Sequence, residues 1–114
     1  MSNNRKKIKK LAENVRNNPD DSFLKFALAL ELLKNNQPGK ALMLFESVYK
    51  NDPDYLGVYY HLGKLYESLK KFDRAEQLFT EGIRVAQRQG AGRTESELNE
   101  AQDSLKADRN YETP

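Results

Sequence analysis

The sequence predicts an all-α protein built from stacked helical hairpins. Shifting the sequence against itself by 34 residues superposes identical residues without a slip in register: Asp20 on Asp54, Leu28 on Leu62, Ala41 on Ala75, Leu44 on Leu78 and Phe45 on Phe79. Within each copy, apolar residues recur at i, i+3, i+4 and i+7, which is the spacing of one face of a helix. Pro19 and Pro53 break the chain between copies. A fixed period of this length indicates repeated units that bury their apolar faces by stacking.

The first expected element is a basic amphipathic N-terminal helix over residues 1–18. Its apolar residues keep the helical spacing: Ile8, Leu11, Ala12 and Val15. Leu11 lies 34 residues before Phe45, a residue of the second helix of a hairpin. We therefore expect this segment to be an N-terminal half-repeat helix.

Two full repeats are expected next, at residues 20–53 and 54–89. Each is expected to contain two helices. In the second repeat the residues of both packed faces keep the helical spacing: Tyr59, Leu62, Gly63 and Tyr66 in one helix, and Ala75, Leu78, Phe79 and Gly82 in the other. Asp73, with Glu76 three residues later, forms an aspartate version of the capping box. This pair predicts a helix that begins near Arg74.

A C-terminal capping helix is expected over residues 93–107. Thr94 and Glu97 have capping-box spacing, and the apolar residues of this helix repeat the earlier pattern: Leu98, Ala101 and Leu105. Polar residues cover its other face, as expected for the end of a repeat array. The segment Gly90-Ala91-Gly92 interrupts the strict period, and residues 108–114 are expected to form a disordered tail.

The pattern Tyr59-x2-Leu62-Gly63-x2-Tyr66, followed by Ala75-x3-Phe79, resembles the tetratricopeptide repeat (TPR), with tyrosine in place of the usual tryptophan. The first copy is looser but in phase, and the resemblance covers about residues 20–89. It implies a right-handed TPR helical-hairpin solenoid with two repeats, an N-terminal half-repeat helix and a C-terminal capping helix. It also implies that Gly63 stands where the backbones of two helices cross closely.

Composition excludes several kinds of chemistry. The 114 residues include no cysteine and one histidine, so disulfides, thiolate metal sites and a nucleophile–base–orienter set cannot be assembled. We expect no enzymatic activity, no cofactor and no metal, and we expect His61 to be structural or exposed. The longest apolar run is Phe26 to Leu30, far short of the roughly 20 residues that span a bilayer. The absence of cysteine makes a cytoplasmic location the expected one.

The resemblance also implies a binding surface, because the first helix of each TPR lines a concave groove. Carried over by position in the repeat, the groove residues are Phe23, Phe26, Leu30 and Leu33 in the first copy, and Gly57, Tyr60, Lys64 and Glu67 in the second. We therefore predict a non-catalytic adaptor that binds a peptide or helix of a partner protein. Family members that grip acidic C-terminal tails use Lys and Asn at places held here by Phe26, Leu30 and His61, so that activity is not expected.

The first-copy groove helix is apolar almost all round, from Phe23 to Leu33, which indicates that something covers it. Three occupants are possible: a bound peptide, a second copy of the protein in a homodimer, or the N-terminal helix folded across it.

A competing hypothesis is a polyanion binder that works through the N-terminal helix. Residues 1–16 hold six basic residues and one glutamate, a net charge of +5. The basic residues are Arg5, Lys6, Lys7, Lys9, Lys10 and Arg16. This segment has no aromatic residue to stack on bases or to enter a membrane surface, so binding to nucleic acid or to an anionic membrane is expected to be weak and dependent on salt.

Overall fold

The computed structural model describes residues 2–112, and within this range the chain forms six α-helices and no β-strand. In chain order the helices are α1 (Ser2–Asn17), α2 (Ser22–Lys34), α3 (Pro38–Asn51), α4 (Gly57–Ser68), α5 (Phe72–Gln89) and α6 (Gly92–Glu112). The predicted all-α architecture is confirmed. None of these helices is both long enough and apolar enough to cross a membrane.

The chain divides into two compact units, one ending at Val58 and the other beginning at Tyr59. In the first unit α2 packs against both α1 and α3. The core of this unit consists of residues with less than a tenth of their surface exposed: Leu28, Ala29, Leu32, Ala41, Phe45, Val48 and Val58.

The second unit is organised around two glycines that make room for side chains. A Cβ atom added to Gly63 on α4 would lie 2.6 Å from Cδ1 and Cζ of Phe79 on α5, and one added to Gly82 would lie 2.6 Å from Cβ of Tyr59. The ring of Phe79 therefore packs directly against Gly63, whereas the resemblance implied a contact between the backbones of two helices. The buried apolar residues of this unit are Tyr59, Leu62, Ala75, Leu78, Phe79, Val85, Ala86, Leu98, Ala101 and Leu105.

Helix ends follow local chemistry in two places. Asp21 caps α2, since its Oδ1 atom accepts a hydrogen bond of 2.9 Å from the backbone N–H of Leu24. Gly90 ends α5 in the left-handed conformation, with φ of 68°, which costs a glycine little. Asn36 and Lys70 also have positive φ, 57° and 63°, in the turns that join α2 to α3 and α4 to α5.

Two predicted capping assignments are wrong, although both helices begin within two residues of the predicted positions. Helix α5 begins at Phe72 after Lys71, so Asp73 is already inside the first turn and does not act as the cap of a helix beginning near Arg74. Helix α6 begins at Gly92, which places Thr94 inside the helix as well. The first turns instead contain Asp73 in α5 and Glu95 in α6, where acidic residues are favourable because of the helix dipole.

The disordered tail expected at residues 108–114 is also corrected, because α6 continues without a break to Glu112. A contact between residues distant in sequence lies at this extension. Arg109 donates hydrogen bonds to the carboxylates of Asp73 and Glu76 at the start of α5, with 3.1 Å between Nη1 and Glu76 Oε1. The rest of the expected tail, residues 113–114, lies outside the described residues.

Candidate functional site

Helix α2 carries apolar residues on two opposite sides. Leu28 and Leu32 are buried on one side. Because a helix turns about 100° per residue, Leu30 lies roughly 200° around α2 from Leu28. The predicted site residues of the first unit share that opposite side, which we call the α2 apolar face: Phe23, Phe26, Leu30 and Leu33.

Helix α1 lies on the side of α2 that carries Leu28. Asn4 Nδ2 donates a hydrogen bond of 2.8 Å to Glu31 Oε2, and Lys7 Nζ lies 3.6 Å from Glu31 Oε1. Ile8 of α1 lines a common cavity with Leu28 of α2. The possibility that the N-terminal helix covers the α2 apolar face is therefore wrong, since α1 uses its apolar residues on the other side.

The four residues of the α2 apolar face differ in exposure. Phe23 is 66% exposed, and Leu30 and Leu33 are half-buried. Phe26 is held by its own unit: its ring centroid lies 5.6 Å from that of Phe45 and 5.2 Å from that of Tyr55. Phe23 is thus the residue of this face most available to a partner, while Phe26 forms part of the support beneath it.

The predicted residues of the second unit lie on α4 and have a neighbour that the sequence did not reveal. Tyr60, 36% exposed, and Lys64 line a cavity of about 320 Å³. The other lining residues come from α6: Glu97, Glu100, Ala101 and Ser104. The sequence predicted that this polar side of α6 faces solvent. The apolar spacing of Leu98, Ala101 and Leu105 matches that of the repeat helices, and it was the signal that α6 would pack here.

Glu67, the last predicted residue on α4, lies beside a cation and a second carboxylate. Lys64 Nζ lies 3.4 Å from Glu67 Oε1. Burial, together with a hydrogen bond to Asp108, raises the pKa of Glu67 despite this ammonium group. Burial lowers the pKa of His61, whose ring meets that of Tyr60 edge to face at 5.5 Å. His61 is therefore neutral at pH 7, and the charged groups on this part of α4 are Lys64 and Glu67.

The arrangement offers binding surfaces in both units. In the first unit it is apolar and lies on α2, and in the second it is mixed and lies on α4 and α6. Among the residues that the structure describes, no group of three His, Cys, Asp or Glu side chains is placed to hold a metal ion.

Comparison with known proteins decides the family. A tetratricopeptide repeat family model matches residues 32–93, which is more than half of the chain. The crystal structure of a tetratricopeptide repeat domain protein from Salinibacter ruber shares 45% identity with this chain, at a TM-score of 0.73. The similarity covers 75% of this chain and 97% of that chain. The chain belongs to the tetratricopeptide repeat family.

Further structures support the TPR fold. The solution NMR structure of the Salinibacter ruber domain also has 45% identity and a TM-score of 0.73, covering 78% of this chain and 90% of that chain. The TPR2B domain of yeast Sti1, in its complex with pHsp70, matches at a TM-score of 0.84 over 94% of this chain and 86% of that chain. At 15% identity this second likeness shows the fold alone. A search of the curated proteins finds no match. The TPR fold is typical of protein–protein interaction modules and is generally a non-catalytic scaffold.

Proposed function

We propose that this TPR protein is a non-catalytic adaptor that binds a peptide or helix of another protein through the α2 apolar face. The observation that carries the proposal is the exposure of Phe23, 66%, on a helix side that also bears Leu30 and Leu33 and is not used by α1. A large exposed aromatic group beside half-buried leucines is typical of a binding surface, because aromatic anchors dominate interface energetics.

Each residue of the face has a distinct part in the proposal. Phe23 is the anchor that a partner covers, and Leu30 and Leu33 form the apolar floor along the helix. Phe26 supports the floor through its contacts with Phe45 and Tyr55. An amphipathic helix or an extended apolar peptide suits such a surface, since both present apolar side chains at regular spacing.

The predicted residues of the second unit are proposed as a mixed partner-binding surface of that unit. Tyr60 offers an amphipathic ring, and the Lys64 ammonium and Glu67 carboxylate offer one charge of each sign. Tyrosine is enriched at interfaces because its ring is apolar and its hydroxyl forms hydrogen bonds. A cytoplasmic location is proposed with this function, because the chain has no cysteine.

Site-specific photo-crosslinking tests the proposal. A benzophenone amino acid is placed at position 23 in the full chain, expressed in its own cells, and the adducts formed under light are identified. We expect a discrete protein adduct from position 23. The matched control is position 69, where Leu69 is also apolar and 52% exposed but lies in the turn after α4.

The outcome distinguishes binding at the proposed surface from non-specific crosslinking at any exposed apolar residue. Adducts from position 23 but not from position 69 support the α2 apolar face. Equal adducts from both positions, or none from position 23, contradict it. An adduct of twice the chain mass indicates that the occupant is a second copy, which replaces the adaptor by a homodimer.

A further inference from the structure

A second apolar surface lies in the first unit, on the other side of α2. A cavity of about 420 Å³ opens between α1 and α3. We call it the α1–α3 groove, and its lining is apolar except for one lysine: Ile8, Ala12, Leu28, Leu32, Lys40, Met43 and Leu44. Met43 at its edge is 74% exposed. The groove is therefore a preformed apolar site that is open at its rim.

The rim of this groove is basic. On α1, Arg5 precedes Ile8 by three residues, Lys9 precedes Ala12 by three, and Arg16 follows Ala12 by four. Residues at these spacings are neighbours on one helix face, so the three cations flank the lining residues of α1. Lys40 supplies a cation from α3. All four side chains are exposed, and none has a carboxylate partner within the described part of the chain.

A buried lysine lies one helical turn further along the seam between α2 and α3. Lys25 precedes Leu28 by three residues on α2, and Ser47 follows Leu44 by three on α3. Lys25 is only 8% exposed, and its Nζ atom donates a hydrogen bond of 3.0 Å to the Ser47 hydroxyl. No carboxylate pairs with this ammonium group in the described range. A buried cation with one neutral partner is unfavourable, so an anion bound at the end of the groove would stabilise it.

We propose that the α1–α3 groove binds an acidic amphipathic segment of a partner protein. Its apolar side chains enter the cavity over Leu28 and Leu32, and its carboxylates pair with the rim cations. Charge complementarity selects this occupant, because an apolar lining flanked by four exposed cations matches an acidic segment and repels a basic one. This site is distinct from the α2 apolar face.

The acidic helix α6 of a second copy supplies carboxylates but not the apolar side chains that the cavity needs. Its apolar residues Leu98, Ala101 and Leu105 are buried within its own unit, which leaves a polar surface for contact. An acidic surface without apolar anchors fits the rim and leaves the cavity unfilled. A partner segment with both features is therefore the occupant to which the groove is matched.

Fluorescence polarisation with designed peptides tests the proposal on the full chain. The probe is a labelled helical peptide with Leu at i, i+3, i+4 and i+7 and Glu or Asp elsewhere. One twin carries Lys in place of the acids, and another carries Ser in place of Leu. We expect the acidic peptide to bind and both twins to bind at least about tenfold more weakly, because the first twin loses charge pairing and the second loses its anchors.

Matched variants assign the binding to the groove. Lys40→Glu is expected to weaken binding of the acidic peptide by about tenfold or more. Lys50→Glu makes the same charge change on another exposed residue of α3 and is expected to have a small effect on binding. Lys25→Met keeps the aliphatic stem and removes the ammonium group, so it is expected to weaken binding while the protein stays folded. Ala12→Phe fills the cavity and is expected to block binding.

Other outcomes overturn the proposal. They are failure of the acidic peptide to bind, equal binding by Lys40→Glu and Lys50→Glu, and a loss of binding in Phe23→Glu, which moves the site to the α2 apolar face. Displacement of the peptide by laurate overturns it in favour of a small anionic amphiphile. Tight binding of RNA or anionic vesicles that persists at about 200 mM salt overturns it in favour of polyanion recognition by α1.

Discussion

Single residues decide how closely the helices of this protein pack. Gly63 lies beneath the ring of Phe79, which is fully buried, so the ring cannot move aside without disturbing the core of the second unit. Gly39, by contrast, lies in α3 with no heavy atom within 4 Å of the position that a Cβ would take. The two glycines thus have the same chemistry and opposite surroundings.

We predict that Gly63→Ala lowers the free energy of unfolding by about 1–3 kcal/mol, the usual cost of overpacking, even though alanine favours a helix. Gly39→Ala is the control and should raise the free energy of unfolding by about 0.5–1 kcal/mol, since it only restricts the unfolded chain. Urea unfolding of both variants checks this. Equal gains in stability from the two substitutions would show that Phe79 does not fill the space above Gly63.

The raised pKa of Glu67 gives a prediction about pH. The folded state keeps the Glu67 proton to a higher pH than the unfolded chain does, so it binds more protons over that interval. The free energy of unfolding contributed by this residue therefore falls as pH rises through the interval. Glu67→Gln removes this loss and should gain stability relative to the wild type between about pH 4 and pH 7. Urea titrations at both pH values measure the difference, and a relative loss for Glu67→Gln would mean that the ion pair with Lys64 dominates.

At the scale of elements, one arginine links the last turns of α6 to the start of α5. Arg109 contacts Asp73 and Glu76 at the start of α5, which ties the end of the last helix to the unit. Lys106, three residues earlier, is exposed and has no such contact in the described part of the chain.

We predict that Arg109→Gln accelerates amide hydrogen exchange in the last turns of α6, because these turns then fray more often. Lys106→Gln removes the same charge from the same helix and should leave the exchange of these turns unchanged. Hydrogen exchange measured by NMR on the full chain makes the comparison. If the two variants exchange alike, the helix extension is held by its own propensity and not by Arg109.

At the scale of the whole molecule, the order of helices could be predicted from the sequence because the period of 34 residues repeats both apolar spacing and chain breaks. Helix ends were less predictable, since Asp73 and Glu76 read locally as a cap and actually bind Arg109, more than 30 residues away. The limits of the two repeats, 20–53 and 54–89, stay a prediction.

The candidate site was predictable as a set of positions but not in the exposure of its members. Sequence spacing placed Phe23 and Phe26 on one side of α2, yet only contacts distant in sequence, with Phe45 and Tyr55, show that Phe26 is held within the unit. The polar wall that α6 adds beside Tyr60 was missed for the same reason. Phe26→Glu is therefore a poor test of binding, because it also disturbs an aromatic cluster.

The affinity of the partner captured at position 23 tests the adaptor proposal most directly. Isothermal titration compares the wild-type chain with Phe23→Glu and with Leu69→Glu, which places the same charge on another exposed apolar residue. We predict that Phe23→Glu raises the Kd by about tenfold or more, the effect of losing at least 1.4 kcal/mol from an aromatic anchor, and that Leu69→Glu leaves it unchanged. A Kd for Phe23→Glu equal to that of the wild type would contradict binding through the α2 apolar face.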